Sequence, residues 1–234
     1  MDPLLAAGRE PVRPLRLLRR ADHGAAELHA PQGRRPRLMA NDLAAARAAL
    51  RARQGAGARY DADAAPADDL LLARRGAAFF ARKLNEVHDV EFADPSRIAG
   101  RSRAHIAADV SFRARTMAIA LKGMREGLTA EEEGWRADLD MAVTLPVRAI
   151  RNLYYHSDVH LNVEFRDLSD AHWQEDVTLG GAKVPVRDLP RLRARHVWLG
   201  ALALGNGARP ADLPAVFRDG LGEGLAAALD ASPL

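Results

Sequence analysis

Four segments of the chain repeat apolar residues at three- and four-residue spacing, and that periodicity constrains the fold more than any other feature. In 67–87, Leu70, Ala73, Ala77, Phe80, Leu84 and Val87 fall on one stripe of an amphipathic helix. In 102–126, Ile106, Val110, Met117, Leu121 and Met124 repeat the pattern. Pro146 suits the first turn of a third helix running to about Asp167. A fourth covers 187–204 and is stopped by Gly205-Asn206-Gly207. Helices with one apolar stripe must bury it against each other, so the expected class is all-α, an up-down four-helix bundle.

The remaining segments are shorter. In 176–186, β-branched residues flank Gly180-Gly181, which predicts a small β-hairpin before the last bundle helix. A helix over 130–141 starts well, with Thr129 as N-cap and Glu131, Glu132 and Glu133 at the positive end of the helix dipole. A helix is expected from about 42 to 53, ending near Gly55 and Gly57. A last one, over 211–229, is weakened by Gly220, Gly222 and Gly224. Residues 1–38, broken by Pro3, Pro11, Pro14, Pro31 and Pro36, read as a disordered extension, with Met39 as an alternative start. The expected domains are therefore this extension, a bundle over 40–207, and a short C-terminal helix within 208–234.

Composition excludes several chemistries. The chain has no cysteine, so disulfides, thiolate zinc sites and a cysteine nucleophile are ruled out, and any thiol must be borrowed. The net charge of +3 conceals an asymmetry. Residues 1–38 hold Arg9, Arg13, Arg16, Arg19, Arg20, Arg34, Arg35 and Arg37 against Asp2, Glu10, Asp22 and Glu27, a balance of +4 that leaves −1 for the rest. A near-neutral body offers no electrostatic footprint for phosphates, so no nucleic-acid partner is expected. No apolar run approaches the roughly 18 residues of a membrane span, which makes a cytoplasmic location the default. A small-molecule partner and a monomer or homodimer are the corresponding expectations.

Residues four apart on a helix share one face and can present ligands together. Three such sets occur: His105 with Asp109, His156 with His160 and Glu164, and His196 with Gly200. Imidazole and carboxylate suit zinc or a similar divalent ion. His156 and His160 are equally well satisfied without an ion, because Tyr154, Tyr155, Asp158 and Asn162 offer hydrogen bonds nearby. Trp135, Trp173 and Trp198 read as core or loop-anchoring aromatics, since no basic stripe accompanies them. Ser102, Ser111 and Ser157 lack the strand-to-helix elbow of a nucleophilic serine. Arg113 falls on the apolar stripe of the second helix, where it must pair with a carboxylate such as Asp109 or contact an anionic substrate.

The blocks Asp69-Leu-Leu-Leu-Ala-Arg-Arg75, Phe79-Phe-Ala-Arg-Lys-Leu-Asn-Glu86, Asp94-Pro-Ser96, Gly100-Arg-Ser-Arg-Ala-His-Ile-Ala-Ala-Asp109, Ala142-Val-Thr-Leu-Pro146, His156-Ser-Asp-Val-His-Leu-Asn-Val-Glu164, Val184-Pro-Val-Arg187 and Arg193-Ala-Arg-His-Val-Trp198 have a specific order and spacing. Over about residues 45–217 they resemble the mycothiol-dependent maleylpyruvate isomerase family. The resemblance implies a DinB-like four-helix bundle holding one divalent metal, usually zinc, through two histidines and a glutamate. It implies cis–trans isomerisation of maleylpyruvate to fumarylpyruvate in gentisate breakdown. A low-molecular-weight thiol such as mycothiol would add to the double bond, the single bond would rotate, and elimination would restore the alkene. The metal would lower the thiol pKa.

Carried over position by position, the family's ligands fall on Asp109, His196 and Gly200. Asp109 and His196 are thus the expected metal ligands and Arg113 the expected anion clamp of the catalytic site. Gly200 has no side chain to offer, which leaves His156 or His160 as a possible third ligand. The family's small C-terminal α/β domain has only the segment after Gly205 to correspond to it, and the loop 127–134 lacks a Pro-Met-Tyr-Ala-Ser block. Two readings follow: a zinc- and thiol-dependent isomerase, or a catalytically inactive, metal-free member acting as a binding or structural bundle.

Overall fold

A computed structural model describes residues 45, 49, 60–219, 221 and 224–230. The expected disorder of 1–38 lies outside these residues, as does most of the expected helix over 42–53, of which Ala45 and Ala49 are helical. The elements in chain order are α1 (Ala67–Glu86), α2 (Arg103–Glu126), α3 (Ala130–Gly134), α4 (Leu139–Ala142) and α5 (Val147–Asp167). They continue with β1 (Asp176–Leu179), β2 (Ala182–Pro185), α6 (Leu189–Ala203), α7 (Ala215–Arg218) and α8 (Leu225–Asp230).

Local chemistry sets the helix ends. At the start of α2 the Ser102 backbone N–H donates to His105 Nδ1 at 3.1 Å while the Ser102 hydroxyl accepts from the His105 backbone N–H. Pro190 occupies the first turn of α6, where its missing N–H costs nothing. Gly205 ends that helix with φ +69°, a left-handed conformation open to glycine.

The four long helices form the expected all-α bundle, and the contacts between them set their directions. Asp69 meets Arg191, the Trp198 indole donates to the Leu72 carbonyl, and the Asn206 amide donates to the Lys83 carbonyl, so α1 and α6 run parallel. Tyr154 reaches the Ala77 carbonyl and Arg151 the Val87 carbonyl, so α5 opposes α1. Arg125 near the end of α2 meets Glu164 and Asp167 near the end of α5, so these two run parallel. The order is up-down-down-up instead of strict alternation.

Parallel neighbours need a long connection, and 127–146 supplies it by returning along α2. Glu132 pairs with Lys122 at 2.6 Å, and farther back Trp135 packs edge-on against Phe112 with the Arg115 guanidinium over its ring. This return breaks the helix expected over 130–141 into α3 and α4, because Trp135 turns onto α2 between them. Thr129 caps α3 as expected, accepting from the Glu132 backbone N–H.

The hairpin is present where expected. β1 and β2 pair antiparallel, with Val177 opposite Val184 and Leu179 opposite Ala182. Gly180 and Gly181 turn it with φ +56° and +85°, the two positive values a tight two-residue turn requires. Val177 and Leu179 point into the bundle beside Phe165 and Trp173. The helix expected over 211–229 is interrupted: a 3-10 turn at Pro210–Asp212, then Pro214, then α7 and α8. Phe217, Ala228 and Leu229 nevertheless bury themselves against the bundle.

The apolar interior divides into two clusters. One gathers Phe80, Leu84, Ile106, Val110, Ile150, Tyr154 and Val197; the other gathers Leu70, Met117, Leu121, Leu161, Phe165 and Trp173. Along α2, α5 and α6 the boundary falls at Ser111 to Arg113, Ser157 to Asp158, and Arg193. A polar layer lies there. Among the described residues no helix is long and apolar enough to cross a membrane.

Candidate functional site

Arg193 organises this layer. Its side chain is 2% exposed, its Nη1 donates to the Val110 carbonyl at 2.9 Å, and its Nη2 meets Asp158 Oδ1 at 2.9 Å. One guanidinium thereby joins α6 to α2 and α5. It also lies 6.0 Å from the centroid of the Tyr154 ring, whose hydroxyl donates to the Ala77 carbonyl at 2.8 Å and adds α1 to the set. Burial raises the Tyr154 pKa, so its hydroxyl stays protonated and available as a donor.

The three expected site residues lie close to this pin. Arg113 Nε donates to Asp109 Oδ2 at 2.9 Å, an ion pair one helical turn apart with both side chains mostly buried. Of the two roles open to Arg113, the structure realises the pairing with Asp109. His196 is fully buried on α6. Burial above all, then the charges of Arg113, Arg193 and Arg195, push its pKa well below the usual imidazole value, so it is neutral.

The other imidazoles are engaged elsewhere. His105 belongs to the α2 cap. His156 is exposed. His160 Nε2 sits 3.3 Å from Glu164 Oε1, and Arg125 holds the same carboxylate at 2.8 Å. Burial pushes the Glu164 pKa up, but the hydrogen bonds from His160 and Arg125 outweigh it and the net value is lowered. This triplet lies at the Arg125 end of α2, in a cluster of its own, so neither His156 nor His160 supplies the third ligand expected beside His196.

A catalytic zinc normally takes three protein ligands and an open position. Among the described residues, no three His, Asp or Glu side chains gather so as to hold a metal ion. The packing gives a steric reason at Gly200. A Cβ there would lie 2.6 Å from Val110 Cγ2 and 3.3 Å from Phe80 Cε2, so hydrocarbon fills the room a longer side chain would need. The electrostatic reason is that Asp109 is already neutralised by Arg113, and His196 sits in the field of three arginines, which repels a cation. The residues present do not fit a divalent ion.

Sequence reasoning did not single out the Arg193–Asp158 pair. The signal was available: Arg193 lies three residues before His196 and seven before Gly200, so it shares their inward face, where a cation demands a carboxylate partner.

The fold is that of a DinB-like helical bundle with a small hairpin. Among solved structures the chain is similar to the mycothiol-dependent maleylpyruvate isomerase, with 30% sequence identity and a TM-score of 0.57, over 64% of this chain and 65% of that one. A histidine-to-alanine mutant of the isomerase gives the same values. The match thus spans just under two thirds of the isomerase. No protein-family profile and no curated protein sequence matches the chain.

Proposed function

We propose that this chain is a maleylpyruvate isomerase-like protein that works without a divalent ion, as a binding bundle whose former metal position is closed by packing. The carrying observation is Gly200: a Cβ added there would overlap Val110 and crowd Phe80. Arg113 and Arg193 already hold the carboxylates of the layer, Asp109 and Asp158, which favours a metal-free interior. The test is elemental analysis of the full chain purified with and without added zinc, together with thermal unfolding in a chelator. No bound zinc and an unchanged Tm support the reading; stoichiometric zinc, with a Tm that falls in chelator, overturns it.

A second reading is favoured by the convergence of Asp109, Arg113 and His196 and by the likeness to a mycothiol-dependent enzyme. In it, thiol-dependent isomerisation of maleylpyruvate is retained, with mycothiol as cosubstrate. Conversion of maleylpyruvate to fumarylpyruvate by the chain with added mycothiol, lost in Arg113→Gln, distinguishes it from the first.

A further inference from the structure

A cleft of about 450 Å³ opens on the outer side of the bundle, lined by Tyr60, Asp61, Arg74, Val159, Asn162 and Arg166. It is formed by α1, α5 and the segment leading into α1, and its size is that of a small-molecule site. Arg74 and Asn162 also line a narrow void behind it that ends on the buried Arg193–Asp158 pair. The cleft therefore backs onto the polar layer from the α1–α5 side, and nothing in it depends on whether the bundle takes a metal.

The charges within the cleft do not cancel. Asp61 clasps Arg74 through both oxygens, at 2.6 and 2.7 Å, so those two neutralise each other and brace the wall. Arg166 is half-buried and donates through Nε to the Asn162 carbonyl at 3.2 Å. Among the described residues it has no carboxylate partner. Its terminal nitrogens are left as a planar fork on the cleft wall, a shape matched to a carboxylate. Opposite charge comes as one unit: a doubly charged anion would meet a single free cation and the nearby Asp61 carboxylate. The remaining walls are the Tyr60 ring and the Val159 side chain, 44% and 61% exposed, which offer a flat apolar surface to water.

We infer that this cleft binds a small monocarboxylate with a flat apolar body, its carboxylate on the Arg166 guanidinium and its body against Tyr60 and Val159. Benzoate is the probe. In nuclear magnetic resonance titrations of the full chain, the Val159 methyl signals shift saturably with benzoate at millimolar concentrations. Benzyl alcohol, which keeps the ring and loses the charge, binds at least about tenfold more weakly. Arg166→Gln, with its Tm unchanged, loses benzoate affinity by a similar factor, and Arg166→Lys loses less because it keeps the charge without the fork. A wild-type chain that gives no saturable shift, benzyl alcohol that binds as well as benzoate, or a folded Arg166→Gln chain with undiminished affinity each overturns the inference.

Discussion

Gly200 on α6 stands so close to Val110 on α2 that a single added carbon would lie 2.6 Å from Val110 Cγ2. Alanine has the better helix propensity by about 1 kcal/mol, and overpacking a tight core costs about 1–3 kcal/mol. The two effects oppose, and the stiff β-branched Val110 decides which wins, because in a helix its side chain strongly prefers one rotamer and does not readily turn its methyl away. With the propensity gain subtracted, Gly200→Ala is expected to destabilise by up to about 2 kcal/mol in urea unfolding. Adding Val110→Ala should make Gly200→Ala neutral or stabilising. If Gly200→Ala alone stabilises, the packing that closes the metal position is looser than described.

Arg193 and Asp158 form a largely buried ion pair, with side chains 2% and 22% exposed. Removing one partner leaves the other charge buried without compensation, which costs about 3–5 kcal/mol, reduced here because Asp158 keeps some solvent. Asp158→Leu and Arg193→Met should each lower stability by at least about 2 kcal/mol. Asp158→Leu combined with Arg193→Met should recover most of the loss, since two apolar residues need no partner. A double-mutant cycle of unfolding free energies measures the coupling, and additive losses would show that the pair is not coupled.

Trp135 holds the crossover that makes α2 and α5 parallel, through an edge-on contact with Phe112 and the guanidinium of Arg115 over its ring. Each contact is worth about 0.5–1.5 kcal/mol. Trp135→Ala should therefore destabilise the chain by about 1–2 kcal/mol and admit proteolytic cleavage between α3 and α4. Cleavage rates that match the wild type would mean the indole anchors nothing.

The bundle was legible because burial dictates period: the stripes through Leu70–Leu84 and Ile106–Leu121 are the residues that fill the two apolar clusters. Gly180-Gly181 likewise announced its turn, since that pair suits positive φ at both positions. Helix direction was not legible. It depends on how the 127–146 connection is anchored, and the anchor is a contact between Trp135 and residues some twenty positions earlier, which no local pattern encodes. For the site, the four-residue spacing offered the Arg113–Asp109 ion pair as one of two roles for Arg113, whereas His196 was set beside Asp109 by the family resemblance alone. Spacing alone missed that Arg193 reaches Asp158 across 35 residues. It also made the His156, His160 and Glu164 face look like a ligand set, when Arg125 from another helix already holds the carboxylate.

His196 gives the layer a pH dependence with a definite sign. Burial, then Arg113, Arg193 and Arg195, depress its pKa well below the ordinary 6.5. Above that value the imidazole is neutral both folded and unfolded and contributes no slope. Below it the unfolded chain takes up a proton that the folded chain refuses, so stability falls with pH by up to about 1.4 kcal/mol per unit until the folded value is reached. His196→Gln keeps a polar group of similar size that cannot titrate. Wild type and variant should therefore run parallel in urea unfolding at neutral and alkaline pH and diverge below about 6.5, the wild type losing stability faster. Curves that remain parallel into the acid range would mean that the imidazole protonates in place, and that the three arginines do not hold the layer as electropositive as their positions imply.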